Sequence, residues 1–120
     1  MVYSAVKERE PQESPLSPQQ RAQAMVRTRA VVSLDDRRYV LDGPKATIGR
    51  SKEVECVLRD PNVSRRHAEL RQANSGDWTI VDLGSTNGIK VNGRRVASSR
   101  LSPGDQVTIG STTFLFDIEQ

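Results

Sequence analysis

The sequence predicts an all-β fold in which short antiparallel strands form a two-sheet sandwich. Three observations support this prediction. From residue 30 onward the chain is a series of short runs rich in β-branched residues, and turn residues separate the runs. No helix of ten residues fits between them. Two connections carry hairpin signals, at residues 74–77 and at Asn92-Gly93, and a type I′ turn at the latter needs positive φ at both central residues.

Ten runs are predicted to be strands because each is short, apolar or alternating, and bounded by turn residues. Their close spacing is typical of a sandwich and not of a fold with crossover helices. In chain order the predicted strands are Ala30–Leu34, Arg38–Leu41, Ala46–Gly49, Glu55–Leu58, Ala68–Gln72, Trp78–Asp82, Ile89–Val91, Arg95–Val96, Gln106–Ile109 and Thr113–Ile118.

Large apolar residues that alternate along these strands form the predicted core. We assign Trp78, the largest of them, to packing and not to ligand stacking. Cys56 lies in a strand run and is expected to be a small buried hydrophobe, not a nucleophile. The core candidates are Leu34, Val40, Ile48, Val57, Leu58, Leu70, Trp78, Ile80, Val107, Ile109, Phe114 and Phe116.

Residues 1–26 differ in composition from the rest of the chain. They contain three prolines, many glutamines and charges, and few large apolar residues, so we expect a flexible arm or linker before a domain at 27–120. Ser17, Pro18 and Gln20 have the form of a helix start, and a short helix over 18–25 would need Ala22 and Met25 to dock on something. We expect the domain to be the C-terminal part of a longer protein.

Composition excludes several classes of protein. Cys56 is the only cysteine and His67 the only histidine, so neither an internal disulfide nor a Cys/His zinc cluster can form, and we expect no metal and no cofactor. No apolar run approaches the roughly 20 residues of a membrane-spanning helix, and the first ten residues are too charged for a signal peptide. A soluble cytoplasmic protein without a membrane partner is therefore expected.

Polar clusters occupy four of the predicted loops. The loops supply arginines, hydroxyls, an amide and glycines that open the backbone. Arginine binds phosphoryl oxygens in a planar bidentate manner, hydroxyls add short donors, and glycine lets backbone N–H groups approach an anion. This inventory suits a phosphate group. The clusters are residues 49–51, 62–67, 84–88 and 104–105.

The order of these motifs resembles the forkhead-associated (FHA) domain, and closely its bacterial members. The resemblance covers about Val31 to Ile118 and rests on Gly49-Arg50-Ser51, Ser64-Arg65-Arg66-His67, Asp82 to Gly88 and Val91-Asn92-Gly93. It implies a sandwich of about eleven strands whose loops at one end bind phosphothreonine peptides. The strand missing from our ten would lie around Ser98 to Leu101.

The resemblance also implies roles for individual residues. Arg50 and Ser64 would contact the phosphate directly, and Arg65 would add a further contact. Thr86 would face the phosphothreonine, and Asn87 would hydrogen-bond the peptide backbone beside it. The full set of implied peptide-binding residues is Arg50, Ser51, Ser64, Arg65, Thr86 and Asn87.

Three residues are implied to support the site without touching the peptide. Gly49 would permit the loop turn, His67 would brace the Ser64 loop from beneath, and Gly88 would open the third loop. Arg66 is left open between a peptide contact and solvent, because adjacent side chains in an extended chain point to opposite faces.

Two other classes of function were weighed against peptide binding. Residues 84–88 do not form a nucleophile elbow, since Thr86 stands at the centre and no helix follows, and residues 43–51 match a phosphate loop only loosely. Nucleic-acid binding is suggested by a sequence pI near 9.4 and by paired arginines, but the net charge is only +3. The aromatics needed for base stacking are assigned to the core.

We therefore expect a non-enzymatic phosphothreonine-binding module that acts as an adaptor or regulatory domain in Ser/Thr-kinase signalling. Its partner would be a phosphothreonine-containing protein, a substrate of such a kinase, with no nucleic acid bound and a monomer as the default state. The alternative is a stand-alone FHA switch protein regulated by its own arm. Thr28, the only threonine before the first strand, has too little slack to reach the loops of its own domain.

Overall fold

The computed structural model describes residues 28–119, and within them the chain forms eleven β-strands. The predicted arm and its helix over 18–25 lie outside the described residues. The strands are β1 Arg29–Ser33, β2 Arg38–Leu41, β3 Lys45–Gly49, β4 Cys56–Val57, β5 Ala68–Gln72, β6 Trp78–Asp82, β7 Ile89–Val91, β8 Arg94–Val96, β9 Ser98–Leu101, β10 Gln106–Ile109 and β11 Thr112–Glu119.

The strands form two sheets that pack face to face, as predicted. The six-stranded sheet has the order β2-β1-β11-β10-β7-β8, and the five-stranded sheet has the order β4-β3-β5-β6-β9. The eleventh strand is β9, which pairs with β6 at the place where the FHA resemblance implied it. At the β7–β8 hairpin, Asn92 has a φ of 52° and Gly93 a φ of 83°, so the predicted positive φ angles are confirmed.

One pairing departs from the antiparallel expectation. Strands β3 and β4 are parallel, with Ile48 opposite Cys56 and Gly49 opposite Val57. The loop of residues 50–55 reverses the chain direction after β3. The two residues of β4 then pair with β3 and run in the same direction as β3. This arrangement places the loop beside the end of β3, where Arg50 begins it.

Trp78, Phe114 and Phe116 form the centre of the core. Each is at most 1% exposed, and the rings of Trp78 and Phe116 meet edge to face with centroids 6.3 Å apart. The packing roles predicted for these residues are confirmed. The other predicted core residues that the structure buries are Ile48, Leu58, Leu70, Ile80, Val107 and Ile109.

Three core predictions need correction. Val40 is 37% exposed, because its neighbours Tyr39 and Leu41 are the residues of β2 that pack against the core, and the alternation of the strand points Val40 to the opposite face. Leu34 and Val57 are only half-buried and lie at the margin of the core.

Three of the four loops that carry the predicted polar clusters meet at one end of the sandwich. β3 ends there, β5 begins there and β6 ends there, and these three strands are neighbours in one sheet. The fourth cluster, residues 104–105, does not join them: it lies at the other end beside the β7–β8 turn, where Asn92 Nδ2 donates to Asp105 Oδ1 at 3.0 Å. At this opposite end, the Thr28 hydroxyl oxygen accepts hydrogen bonds from Gln72 Nε2 at 2.9 Å and Trp78 Nε1 at 3.3 Å. Across residues 28–119 there is no helix that is long and apolar enough to cross a membrane.

Candidate functional site

Gly49 sits where two loops touch. The Arg50 amide donates to the Ser64 carbonyl at 3.0 Å and the Ser51 amide donates to the Arg65 carbonyl at 3.1 Å, so the two segments run side by side. A Cβ on Gly49 would overlap the Arg65 carbonyl oxygen. Glycine is therefore required by this close approach and not, as predicted, by a turn, since the φ angle of Gly49 is not in the left-handed region.

The guanidinium of Arg50 is oriented by one of its own donors. Its Nε donates to the Val63 carbonyl at 3.0 Å, and Val63 is itself only 1% exposed, so the anchor is fixed in the core. The remaining guanidinium N–H groups of Arg50 face solvent. None of the described carboxylates forms an ion pair with them, which leaves them free for an anion.

Ser64 lies in the second loop and bonds to both the first loop and the third. Its hydroxyl oxygen accepts a hydrogen bond from the Thr86 amide at 3.2 Å. Its own amide donates to Nδ1 of His67 at 3.0 Å. Because a hydroxyl both donates and accepts, Ser64 can still donate its proton to a phosphate oxygen while it holds Thr86 in place.

His67 is fully buried and both of its ring nitrogens are engaged. Nδ1 accepts from the Ser64 amide, so Nε2 carries the proton and donates to the Gly88 carbonyl at 2.7 Å. The backbone of His67 bonds to Ile48 on one side and Leu83 on the other. The imidazole thus joins the loop before β5 to the loop before β7, which is the bracing position that the resemblance implied.

The loop between β6 and β7 is shaped by short local hydrogen bonds. The Ser85 amide donates to Asp82 Oδ1 at 3.0 Å, and the Gly88 amide donates to the Ser85 hydroxyl at 2.9 Å. Gly88 has a φ of 75°, a conformation that favours glycine. These bonds hold Thr86 and Asn87 at the exposed tip of the loop.

Asn87 spans from its own loop to the neighbouring one. Its Nδ2 donates to the Asn62 carbonyl at 2.7 Å, while Asn62 Nδ2 donates to the Ser111 hydroxyl at 2.6 Å. The Asn87 side chain oxygen remains at the surface. Arg65 and Arg66 are both exposed beside this pair, so the position of Arg66 stays open between peptide and solvent.

Asp60 was missed by the sequence analysis, although it organises this end of the sandwich. It is 7% exposed; Oδ1 accepts from the Asn62 amide at 2.9 Å and Oδ2 accepts from the Ser111 amide at 2.7 Å and the Thr112 hydroxyl at 2.8 Å. Burial alone would raise the pKa of Asp60, but these donors outweigh burial and hold its pKa below the usual value. The signal was present, because an aspartate that bonds to the amide two residues on is typical of a turn.

The structure therefore brings the predicted site residues to one end of the molecule, on three adjacent loops. Cys56 is not among them: it is fully buried, and burial raises the pKa of its thiol to about 12 despite the nearby charge of Arg37. The described part of the chain contains no cluster of three or more carboxylate, histidine or cysteine groups that could hold a metal.

Comparison with known proteins agrees with this geometry. The sequence model of the FHA domain matches residues 46–110, which is more than half of the chain. The chain belongs to the FHA family. A solved structure titled as a structural and functional analysis of phosphothreonine-dependent FHA domain interactions superposes with a TM-score of 0.71 at 33% identity, over 77% of this chain and 98% of the other.

Two curated bacterial relatives are similar to this FHA domain. An oxoglutarate dehydrogenase inhibitor from Corynebacterium efficiens is 44% identical over 79 residues, which are 66% of this chain and 55% of the relative. The glycogen accumulation regulator GarA from Mycolicibacterium smegmatis is 43% identical over 79 residues, which are 66% of this chain and 49% of the relative. The chain thus spans about half the length of these relatives.

Proposed function

We propose that this FHA domain binds phosphothreonine-containing peptides at the end of the sandwich formed by residues 49–51, 62–67 and 84–88. The observation that carries the proposal is the convergence of Arg50, Ser64 and Thr86. The Arg50 amide donates to the Ser64 carbonyl at 3.0 Å, and the Thr86 amide donates to the Ser64 hydroxyl at 3.2 Å. The remaining N–H groups of Arg50, the hydroxyl proton of Ser64 and the exposed loop tip at Thr86 are therefore available at the same end of the sandwich. Such a set binds a dianion far better than a neutral group.

The proposed contacts follow from where each side chain lies. Arg50 and Ser64 hold the phosphate, and exposed Arg65 adds charge from the next position in the same loop. Thr86 faces the phosphothreonine, and the Asn87 side chain bonds to the peptide backbone next to it. Ser51, half-buried beside Arg50, completes the polar lining.

We propose a regulatory role for the module in Ser/Thr-kinase signalling in the cytoplasm. Its similarity to an oxoglutarate dehydrogenase inhibitor and to a glycogen accumulation regulator supports control of an enzyme through protein contact. The kinase would generate the recognised mark on a partner protein. Binding in trans is favoured over capture of Thr28, because Thr28 is held by Gln72 and Trp78 at the opposite end of the sandwich.

We also propose that the domain is not a catalyst. His67 lies near Ser64 in sequence, but its Nδ1 accepts a hydrogen bond from the Ser64 amide and its Nε2 donates to the Gly88 carbonyl. Neither ring nitrogen is left to activate the Ser64 hydroxyl, so this pair lacks the base that a nucleophilic serine needs.

Calorimetric titration with matched peptides tests the proposed function. We expect the phosphothreonine form to bind with a dissociation constant on the order of micromolar, about −8 kcal/mol, because ordering a flexible peptide offsets much of the gain. The same peptide with unmodified threonine should give no measurable heat. Equal binding of the two forms would exclude phosphate recognition.

A further inference from the structure

A basic groove lies beside the proposed phosphate site and shares only Arg50 with it. The groove occupies about 960 Å³ where the edge strands β2 and β4 of the two sheets come together. Arg50 belongs to both places, since it borders the groove as well as the phosphate loops. The groove is lined by Arg37, Tyr39, Arg50, Lys52, Val57, Arg59, Asp60 and Pro61.

The positive charges of this groove lack counter-ions. Four of its lining residues are cations, and no described carboxylate forms an ion pair with any of them. The single lining carboxylate is Asp60, and its oxygens accept from Asn62, Ser111 and Thr112. These hydrogen bonds orient Asp60 toward the loops, and its one negative charge leaves the four positive charges of the lining in excess by three.

Other carboxylates near the groove are not paired with its cations. Asp35 and Asp36 line a second hollow that Arg37 and Arg59 also border, but neither forms an ion pair with these arginines. Glu55, in the same loop as Lys52, accepts a hydrogen bond from the Thr47 amide at 2.6 Å.

Arg37 lines the groove, is fixed there by two contacts, and keeps one N–H donor without a hydrogen-bond partner. Its Nη2 donates to the Val57 carbonyl at 3.1 Å, and its guanidinium lies over the ring of Tyr39 at 5.7 Å from the centroid. The Tyr39 hydroxyl donates to the same carbonyl, also at 3.1 Å. Arg37 Nε is buried and has no hydrogen-bond partner among the described residues, so one donor of this guanidinium is unsatisfied.

We propose that this groove is a second anion-binding subsite, which receives a further acidic or phosphorylated side chain of the peptide whose phosphothreonine sits at Arg50. This inference rests on the proposed function. A cavity of about 960 Å³ is on the order of 10 Å across, or roughly three residues of extended chain. The second anion should therefore lie two to four residues from the phosphothreonine, on the side of the peptide that passes Lys52 and Arg59.

A peptide scan tests the subsite. The parent peptide carries one phosphothreonine and neutral residues elsewhere, and each further peptide adds one glutamate or one phosphoserine at one of four positions on either side. We expect a gain of roughly five- to twentyfold at low ionic strength, at positions on one side only. Phosphoserine should gain more than glutamate if phosphate is the preferred group, and the two should gain equally if any carboxylate suffices.

Matched double variants separate the groove from general charge. The variant K52Q/R59Q should bind the parent peptide like wild type and lose the gain from the second anion. The variant K90Q/R94Q removes the same charges from β7 and β8, at the far edge of the six-stranded sheet, and should keep the gain. No gain at any position, or an equal gain in both variants, would overturn the proposal.

The outcome for the subsite is distinct from the outcome for the phosphothreonine site. If the parent peptide binds no better than its unphosphorylated form, the proposed function fails. The doubly anionic peptides still test the groove through the backbone amide NMR signals of Val57 and Leu58. Shifts of these signals in wild type that vanish in K52Q/R59Q support the subsite, and unchanged signals in wild type overturn it.

Discussion

The backbone amide of Thr86 donates a 3.2 Å hydrogen bond to the hydroxyl oxygen of Ser64, so two loops that are 22 residues apart in sequence are held in register by the protein itself. His67 fixes the other side of the same junction through Ser64 and Gly88. A site assembled in this way is pre-organised, because little loop ordering remains to oppose binding. Variants of the exposed residues and variants of the buried support should therefore behave differently.

Substitution of Arg50 should weaken binding without harming the fold. Arg50→Ala is expected to cost roughly 2–4 kcal/mol of phosphopeptide affinity, because a charge-assisted bidentate contact is lost. Arg50 is exposed, so the melting temperature should change little. Titration calorimetry and thermal unfolding measure both quantities. Arg94→Ala, an exposed arginine on β8, is the control, and an equal loss there would show that the effect is only one of net charge.

Substitution of His67 should have the opposite signature. His67→Ala leaves the Ser64 amide and the Gly88 carbonyl without their partner in a fully buried position, and this should lower the unfolding free energy by roughly 2–4 kcal/mol. Binding should fall in parallel, because both loops loosen. Chemical denaturation and titration of the same samples provide the comparison. Unchanged stability with binding abolished would make His67 a ligand-contact residue, not a support.

Acidification should reveal the contribution of Asp60. Its pKa is lower in the folded chain than its ordinary value of 3.8, so the fold favours the ionised form. The stabilisation is therefore complete above about pH 5 and is lost as the pH falls through the ordinary value and then the folded pKa. Wild type should lose stability as the pH is lowered from about 5, and Asp60→Asn, already less stable at about pH 7, should lose less over the same interval.

Urea unfolding at several pH values measures the effect of Asp60. Asp77→Asn is a useful comparison, because Asp77 also has a lowered pKa, held down by Ser75 and Arg100, but it is exposed. Solvent screening should make its contribution much smaller. An identical pH profile for Asp60→Asn and wild type would contradict the role assigned to the buried carboxylate.

Selectivity for threonine should come from one methyl group. Phosphoserine offers the same phosphate to Arg50 and Ser64, so charge cannot separate the two peptides. Burying the γ-methyl between the Ser64 and Thr86 loops is worth about 1 kcal/mol by area, and up to roughly 3 kcal/mol if the space stays empty with serine. We expect a preference between about fivefold and a hundredfold, measured by titrating matched peptides.

A variant separates the methyl contact from the phosphate contact. Arg50→Lys should weaken both peptides and leave their ratio nearly intact, because Arg50 touches only the phosphate. A ratio that collapses in this variant would place the selectivity in the phosphate contacts instead.

Much of the fold was predictable because the strands are short and alternating. The predicted core residues of β5, β6, β10 and β11 are buried as their spacing predicts, and the turn at Asn92-Gly93 follows from its composition. Val40 was misassigned because a one-residue choice of phase decides which face a side chain occupies, and only the pairing with Val31 fixes that phase. The strand β4 was predicted within Glu55–Leu58, but its parallel pairing with β3 was not, because a run of two paired residues does not indicate the direction of its partner.

The residues that line the candidate site were predictable from the sequence, but some of the interactions that hold its loops in place were not. Motif resemblance identified Arg50, Ser64 and His67, and the structure brings all three to one end of the sandwich. Asp60 was missed because its partners Ser111 and Thr112 are about 50 residues away in sequence. The reason for Gly49 was also misjudged, since a close approach to Arg65 depends on tertiary structure.

The single tryptophan of the chain gives the domain an optical reporter of known location. The Trp78 ring lies in the core beside Phe116, while its Nε1 bonds to Thr28 at the end of the sandwich remote from the peptide loops. Its fluorescence therefore senses the integrity of the core and the point where the preceding segment joins it, and is insulated from events at Arg50. Emission from one side chain can thus report unfolding while the phosphopeptide site is saturated or empty.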